Sequence, residues 1–306
     1  VASLAVGVAL LAVEHAAAQP SGPAAPERWW VWPIGLFLVT LLLGVLAVIG
    51  GLGGGTIFVP VVSGFFPFHI DYVRAAGLFV ALASALAAGP DLLRRNLADL
   101  RLALPISLAA SASAIVGARV GLRVPGAYLH LALGMLVLGI VAIMAVGRGA
   151  LVPDVRESDP LSRLLGIGSG YWDEAMAARV EWRVHRTWLG LVLFLLIGLV
   201  GGMFGVGAGW ANVPVLNLLM GVPLKVAVGT SVFTLSVTAT SAAWVYLHDG
   251  AVLPLVVVPS VVGMMLGAWV GVKLLIVLKP EVVRRVVLAV LAFAGLRTFV
   301  RGIELW

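Results

Sequence analysis

The chain reads as an all-α polytopic membrane protein with about eight transmembrane segments in two homologous four-segment repeats, each carrying a glycine-broken helix. Three observations predict this class. Of 306 residues, 61% are hydrophobic and only 11% charged, with mean hydropathy +1.11; a soluble domain carries about 25% charged residues. Apolar stretches near the length that crosses about 30 Å of hydrocarbon recur along the chain. One glycine-rich cassette occurs twice, as Gly50-Gly51-Leu52-Gly53-Gly54-Gly55-Thr56-Ile57-Phe58-Val59-Pro60 and as Phe204-Gly205-Val206-Gly207-Ala208-Gly209-Trp210-Ala211-Asn212-Val213-Pro214, which sets Gly53 and Gly207 154 residues apart.

Residues 1–28 are a signal-like or extra N-terminal segment and linker. Val1 to Ala18 is apolar and ends in Ala16-Ala17-Ala18-Gln19, which resembles a cleavage region, and Gln19 to Arg28 is Pro-rich. Residues 29–148 form transmembrane repeat 1, with apolar segments near Trp30–Phe66, Val73–Leu93, Leu102–Val120 and Gly126–Val146. Residues 188–302 form repeat 2, with segments near Trp188–Met220, Val226–Leu247, Val252–Leu275 and Val282–Val300. Gly77 aligns with Gly229, Ser84 with Ser236, and Gly117-Ala118-Arg119-Val120-Gly121 with Gly267-Ala268-Trp269-Val270-Gly271. Matches in one order at nearly one spacing mark an internal repeat. The even number of segments favours parallel halves, whereas the unequal charge of the Arg94-Arg95 and His248-Asp249 loops suits inverted ones.

The first segment of each repeat must break. Trp30 to Phe66 as one straight helix would reach about 55 Å. The cassette is the place, since each Gly costs a helix about 1 kcal/mol relative to Ala. Pro fits a first helical turn, where its missing N–H is not needed. A half-helix is therefore predicted to open near Pro60 and another near Pro214. Residues 149–187 form a polar connector holding Arg156, Arg163, Arg179, Arg183 and Arg186. It reads as an interfacial loop with an amphipathic helix, on the cytoplasmic side by its basic content.

Composition excludes several chemistries. There is no Cys, hence no disulfide and no thiolate metal site. The net charge of +6 comes from arginines scattered over loops. It fits basic loops drawn to anionic lipid and forms no nucleic-acid stripe. The 14 acidic residues lie almost wholly in loops or at span ends. A buried cation needs anionic or many-oxygen ligands, whereas this chain offers hydroxyls, amides and glycine backbone. Helix N-termini favour anions, so the expected partner is a small inorganic or organic anion, with membrane lipid around it, no cofactor, no metal and a homo-oligomer as an open possibility.

The candidate substrate-binding residues are the backbone of Gly53, Gly54, Gly55, Gly207, Ala208 and Gly209, with Asn212, Thr230, Ser231 and Thr234. Thr230, Ser231, Thr234, Thr238 and Ser241 recur at helical spacing, while the matching Leu78, Phe79, Leu82 and Leu86 of repeat 1 are apolar. Small hydroxyl residues also serve helix packing. Arg74 and Lys225 follow the half-helices and would steer anions to the path. A catalytic reading, Ser231 with His248, rests on a loose three-residue match, and the glycine cassettes lack the Lys-Ser/Thr of a phosphate loop. The chain is not expected to be an enzyme.

Gly51 to Gly55 with Val59-Pro60, and Gly202-Met203-Phe204-Gly205-Val206-Gly207-Ala208-Gly209 with Val213-Pro214, resemble the TauE/SafE sulfite-exporter family, also called the toluene sulfonate uptake permease family. Pro223, Lys225, Ala227 and Gly229-Thr230-Ser231 look like its continuation. In repeat 1 Phe66-Pro67-Phe68-His69 departs from Gly221-Val222-Pro223. The resemblance implies a plasma-membrane secondary carrier of sulfite, sulfonates or related small anions, with a channel-like path, a membrane enzyme or a sensor as alternatives.

Overall fold

The computed structural model describes residues 30–50, 53–94, 97–146, 158–173, 178–207, 209–274 and 280–305. The N-terminal segment 1–28, the first part of the connector and Ala208 lie outside the described residues. The described chain is nearly all helix: α1 Val31–Gly50, α2 Gly54–Phe65, α3 Ile70–Arg94, α4 Leu100–Arg123, α5 Gly126–Val146, α6 Pro160–Leu164, α7 Thr187–Phe204, α8 Gly209–Pro214, α9 Leu224–His248, α10 Pro254–Leu274 and α11 Pro280–Glu304. A π-helical turn, Val215–Leu219, continues α8. In the connector, where a loop with an amphipathic helix was expected, short α6 is followed by an antiparallel hairpin of β1 Ser169–Asp173 and β2 Ala178–Trp182.

Six described helices, α3, α4, α7, α9, α10 and α11, are long and apolar enough to cross a membrane; α1, α2 and α5 have shorter apolar cores. The outside of the bundle agrees: Leu38, Leu42, Leu104, Leu108, Met135, Leu196 and Phe293 are large, apolar and more than half exposed. Such a belt suits lipid and would be an aggregation hazard in water. Inside, Leu36, Ile57, Phe58, Val62, Val73, Leu133 and Leu291 share one core.

Each broken first segment folds back on itself. Trp32 at the start of α1 packs edge-on against Phe66 and Phe68 beyond the end of α2. In the second half the His185 N–H before α7 donates to the Met220 carbonyl after the π turn (3.2 Å). The chain enters, breaks and returns to the face it came from, so that pair adds no net crossing. Three full helices follow in each half, an odd number.

The directions of the long helices follow from this. Gly134 of α5 abuts Phe299 of α11, while Gly302 abuts Leu131, an antiparallel pair. The C-terminal side of α3 reaches the N-terminal side of α9, where the Leu97 carbonyl lies 2.2 Å from the site of a Cβ on Gly229. These pairs occupy matching places in the two halves, so the parallel arrangement favoured by the even segment count is not the one observed. That count treated each broken segment as one span.

Small residues let the backbones touch. A Cβ on Gly117 of α4 would sit 2.0 Å from the Leu199 carbonyl of α7, and one on Gly267 of α10 would sit 2.1 Å from the Leu41 carbonyl of α1. Close backbone approach through small residues is the common way helices pack in lipid. The described helix ends and connector carry Arg94, Arg101, Arg163, Arg183, Arg186 and Lys225 on one face, here called the basic face, with Asp99, Asp159 and Glu181 among them. Arg119, Arg123, Arg297 and Arg301 lie toward the other face, with His69, Asp71, Asp249 and Glu304.

Candidate functional site

Both breaks are made by glycines in the left-handed region. Helix α7 stops at Gly205 (φ 66°), whose N–H returns to the Gly201 carbonyl, and Gly207 repeats the conformation (φ 66°). In the first cassette Gly53 has φ 75° and caps α2. Only Gly adopts such angles at little cost. The new helices open immediately afterwards, at Gly54 and Gly209. The expectation that they open near Pro60 and Pro214 is therefore corrected: both prolines sit inside their helices. The last left-handed glycine sets the start, and the following residues propagate from it. Pro214, lacking an N–H to give back, is followed by the π turn. Such bulges mark an irregular helix and are frequent at functional sites.

The two cassettes meet. The Thr56 hydroxyl donates to the Val206 carbonyl (3.1 Å), joining residues 150 apart. A Cβ on Gly55 would approach the Gly77 carbonyl (2.8 Å) and Ala81 (3.0 Å), and one on Gly207 would approach Ala81 (3.2 Å) and Leu235 (3.1 Å). Ala81 and Leu235 lie near the middles of α3 and α9, so the breaks sit half-way through the bundle. Discontinuous helices meeting at mid-depth are the geometry of carrier binding sites.

Beside the first break lies a cavity of about 180 Å³ lined by Gly53, Gly54, Ser84, Val232, Leu235 and Met264, among others. The Gly54 N–H points at the Ser84 hydroxyl (3.5 Å), which donates on to the Ala81 carbonyl (2.8 Å). Helix α2 has 12 residues, enough to place a partial positive charge here. Sequence reasoning aligned Ser84 with Ser236 yet did not assign it to the site; its alignment in both halves was the available signal. A second cavity of about 200 Å³, reached past Ala85 and Val232, is lined by Gly89, Leu93, Gly229 and Ser236.

The other expected residues fall in different places. Asn212 is fully buried in α8, and neither its amide nitrogen nor its amide oxygen has a partner among the described residues. Ser231 is buried. Thr230 and Thr234 point to α4: Thr230 Oγ1 accepts from the Asp99 N–H (3.2 Å), and Thr234 Oγ1 accepts from the Ser107 hydroxyl (3.2 Å). Of the expected site residues only Gly53 and Gly54 line the cavities beside the breaks; Gly55, Gly207, Gly209, Asn212, Thr230, Ser231 and Thr234 line neither. Lys225 is exposed in the first turn of α9, on the basic face. Arg74 is a correction. It was expected to steer anions from a mouth, but it is 0% exposed, ion-paired with Asp71 and bonded to the Met203 carbonyl (2.6 Å). A charge so enclosed and neutralised projects little field to solvent. Ser231 and His248, the pair of the enzyme reading, lie on one helix about 25 Å apart along its axis.

An apolar-coated helical bundle whose two broken helices meet at mid-depth beside a cavity is a multi-pass membrane protein. The chain belongs to the family described as Sulfite exporter TauE/SafE, which matches residues 36–298. Over 93 residues it is 34% identical to the Probable membrane transporter protein YunE of Bacillus subtilis (strain 168); that stretch covers 29% of this chain and 32% of the relative. No solved structure matches the chain.

Proposed function

We propose that this protein is a transporter, a secondary carrier of a small sulfur-containing anion, sulfite or a sulfonate, working by alternating access between two inverted repeats. The observation that carries the reading is the meeting of the two breaks through Thr56 and Val206, with the N-terminus of α2 opening on a cavity at that point. Backbone N–H groups near Gly53 and Gly54 would hold the oxyanion in that cavity, with Ser84 orienting it; Gly207, Gly209 and Asn212, which line neither cavity, would join it only where the space widens toward the second break. The family's description supports the substrate class. The antiparallel matching helices support inverted halves, and the basic face, with its connector, is the cytoplasmic one by the distribution of Arg and Lys.

The test is flux into proteoliposomes. Sulfite, sulfate, thiosulfate, taurine and an aromatic sulfonate are compared with a neutral and a cationic solute of similar size. Uptake of at least one sulfur anion, competed by the others and lost on Ser84→Val, is expected. Selective flux of a cation would overturn the reading. Lys225 supplies a second check. If it steers anions at the basic face, Lys225→Gln slows flux at low ionic strength, and the deficit shrinks at high salt, where the Debye length falls from about 10 Å at 0.1 M to about 3 Å at 1 M. A deficit equal at both salts would make Lys225 a direct ligand instead.

A further inference from the structure

We infer that Arg74, Asp71 and Tyr246 form the lock of the gate on the face opposite the basic one. The inference rests on the alternating-access reading above and adds the side that is shut and what shuts it.

Arg74 lies one turn into α3 and is wholly enclosed. Its guanidinium reaches three other elements. It donates to the Met203 carbonyl in the last turn of α7 (2.6 Å) and to the Gly121 carbonyl near the end of α4 (3.3 Å). It lies 5.5 Å from the centre of the Tyr246 ring on α9. Asp71, on the same helix, neutralises it. The Tyr246 hydroxyl donates to the Gly202 and Met203 carbonyls (3.0 and 3.2 Å). The end of a broken helix is thus held by a cation and a phenol. Both groups bond to carbonyls that have no partner within the helix and carry its partial negative charge. Guanidinium and carboxylate together are stable in so enclosed a place only while they stay paired.

The placement of open space gives this cluster its role. Outside it lies a vestibule of about 510 Å³ lined by His69, Asp71, Tyr72, Leu122 and Asp249. Inside it, α3, α4 and α9 close tightly through Ala75, Leu78, Ala114, Ala239 and Ala242. The two cavities beside the breaks lie beyond that seal. Their linings extend toward the basic face, through Leu92 and Val228 in one and Leu93 and Gly229 in the other. The order from one face to the other is therefore vestibule, cluster, apolar seal, cavities.

The second half does not repeat the device. At the spacing that matches Gly77 with Gly229, Arg74 corresponds to Val226 and Asp71 to Pro223, and Val226 is buried in apolar surroundings. A charged clamp on one face and none at its counterpart makes the two closed states unequal, favouring the one shut opposite the basic face. Opening to the vestibule requires α7 to leave Arg74 and Tyr246.

The natural absence of Cys allows a direct test. A single Ala242→Cys reports the seal, and a single Gly250→Cys, in the vestibule, serves as the accessible control. A membrane-impermeant maleimide is applied from the vestibule side and, in oppositely oriented vesicles, from the basic side. With the clamp intact, the thiol introduced by Ala242→Cys is expected to be protected. Asp71→Asn and Tyr246→Phe are each expected to speed its labelling from the vestibule side by about tenfold or more, the scale of one lost charge-assisted or buried hydrogen bond, with position 250 unchanged. Tyr246→Phe removes a single oxygen and carries the test if the charge variant does not reach the membrane. Unchanged protection in folded protein would overturn the gate, as would equal acceleration from both sides. Loss of anion binding with position 242 still protected would make the cluster a ligand site and also overturn it. Labelling needs no substrate, so a shift in labelling without sulfur-anion flux would sink the substrate reading and leave the gate standing.

Discussion

Asn212 and Thr230 show how one residue type can be read only by its partners. A buried amide with no hydrogen bond costs about 1–3 kcal/mol, and Asn212 has none among the described residues. If it is kept for an anion, Asn212→Leu should raise the thermal midpoint of the ligand-free protein and weaken anion binding by about tenfold or more. A lower midpoint with unchanged binding would assign the amide to the fold. Thr230 is the opposite case, since its oxygen satisfies the backbone of Asp99 at the start of α4. Thr230→Val should cost roughly 0.6–1.7 kcal/mol of stability, the range for interhelical bonds in lipid, with the KM for the anion unchanged. A raised KM at full stability would return Thr230 to the binding site. The sequence placed both residues on apolar helices and gave each two readings. For Thr230 the weight on the packing side comes from a neighbour more than a hundred residues away, Asp99.

At the scale of elements, close contact between helices is set by glycine positions. Gly117 and Gly139 both lie within apolar helices and look alike in sequence. A Cβ on Gly117 would stand 2.0 Å from the Leu199 carbonyl, whereas one on Gly139 meets nothing within 4 Å. Gly117→Ala should therefore lower stability or expression sharply, because the α4–α7 backbones must part. Gly139→Ala should be neutral or stabilising by up to about 1 kcal/mol, the helix-propensity gain. Thermal unfolding in detergent of the two variants decides it, and equal effects would refute the packing account. The cassettes themselves were legible, because a run of glycines in lipid has few structural solutions. The point where each half-helix restarts was less so. Proline preference pointed to Pro60 and Pro214, but the left-handed Gly53 and Gly207, each seven residues earlier, fix the turn, and the helices restart at Gly54 and Gly209.

At the scale of the whole molecule, topology follows from the fold-back of each broken segment. Residues 68 and 250 should lie on one side of the membrane and residue 165 on the other. Single cysteines at these positions in the Cys-free chain, labelled from each side, test it. Labelling of all three from one side, or of 68 and 250 from opposite sides, would overturn the inverted arrangement. By itself the sequence determined that this chain is a helical membrane protein, that its halves share a cassette and where its helices break. Hydropathy and glycine clusters act locally, and the bilayer leaves backbone no other refuge. Only the tertiary structure decided that the breaks turn the chain back, that they touch through Thr56 and Val206, and that Arg74 is enclosed. Those outcomes depend on which distant backbone or charge fills the space beside each residue, and no local pattern records that.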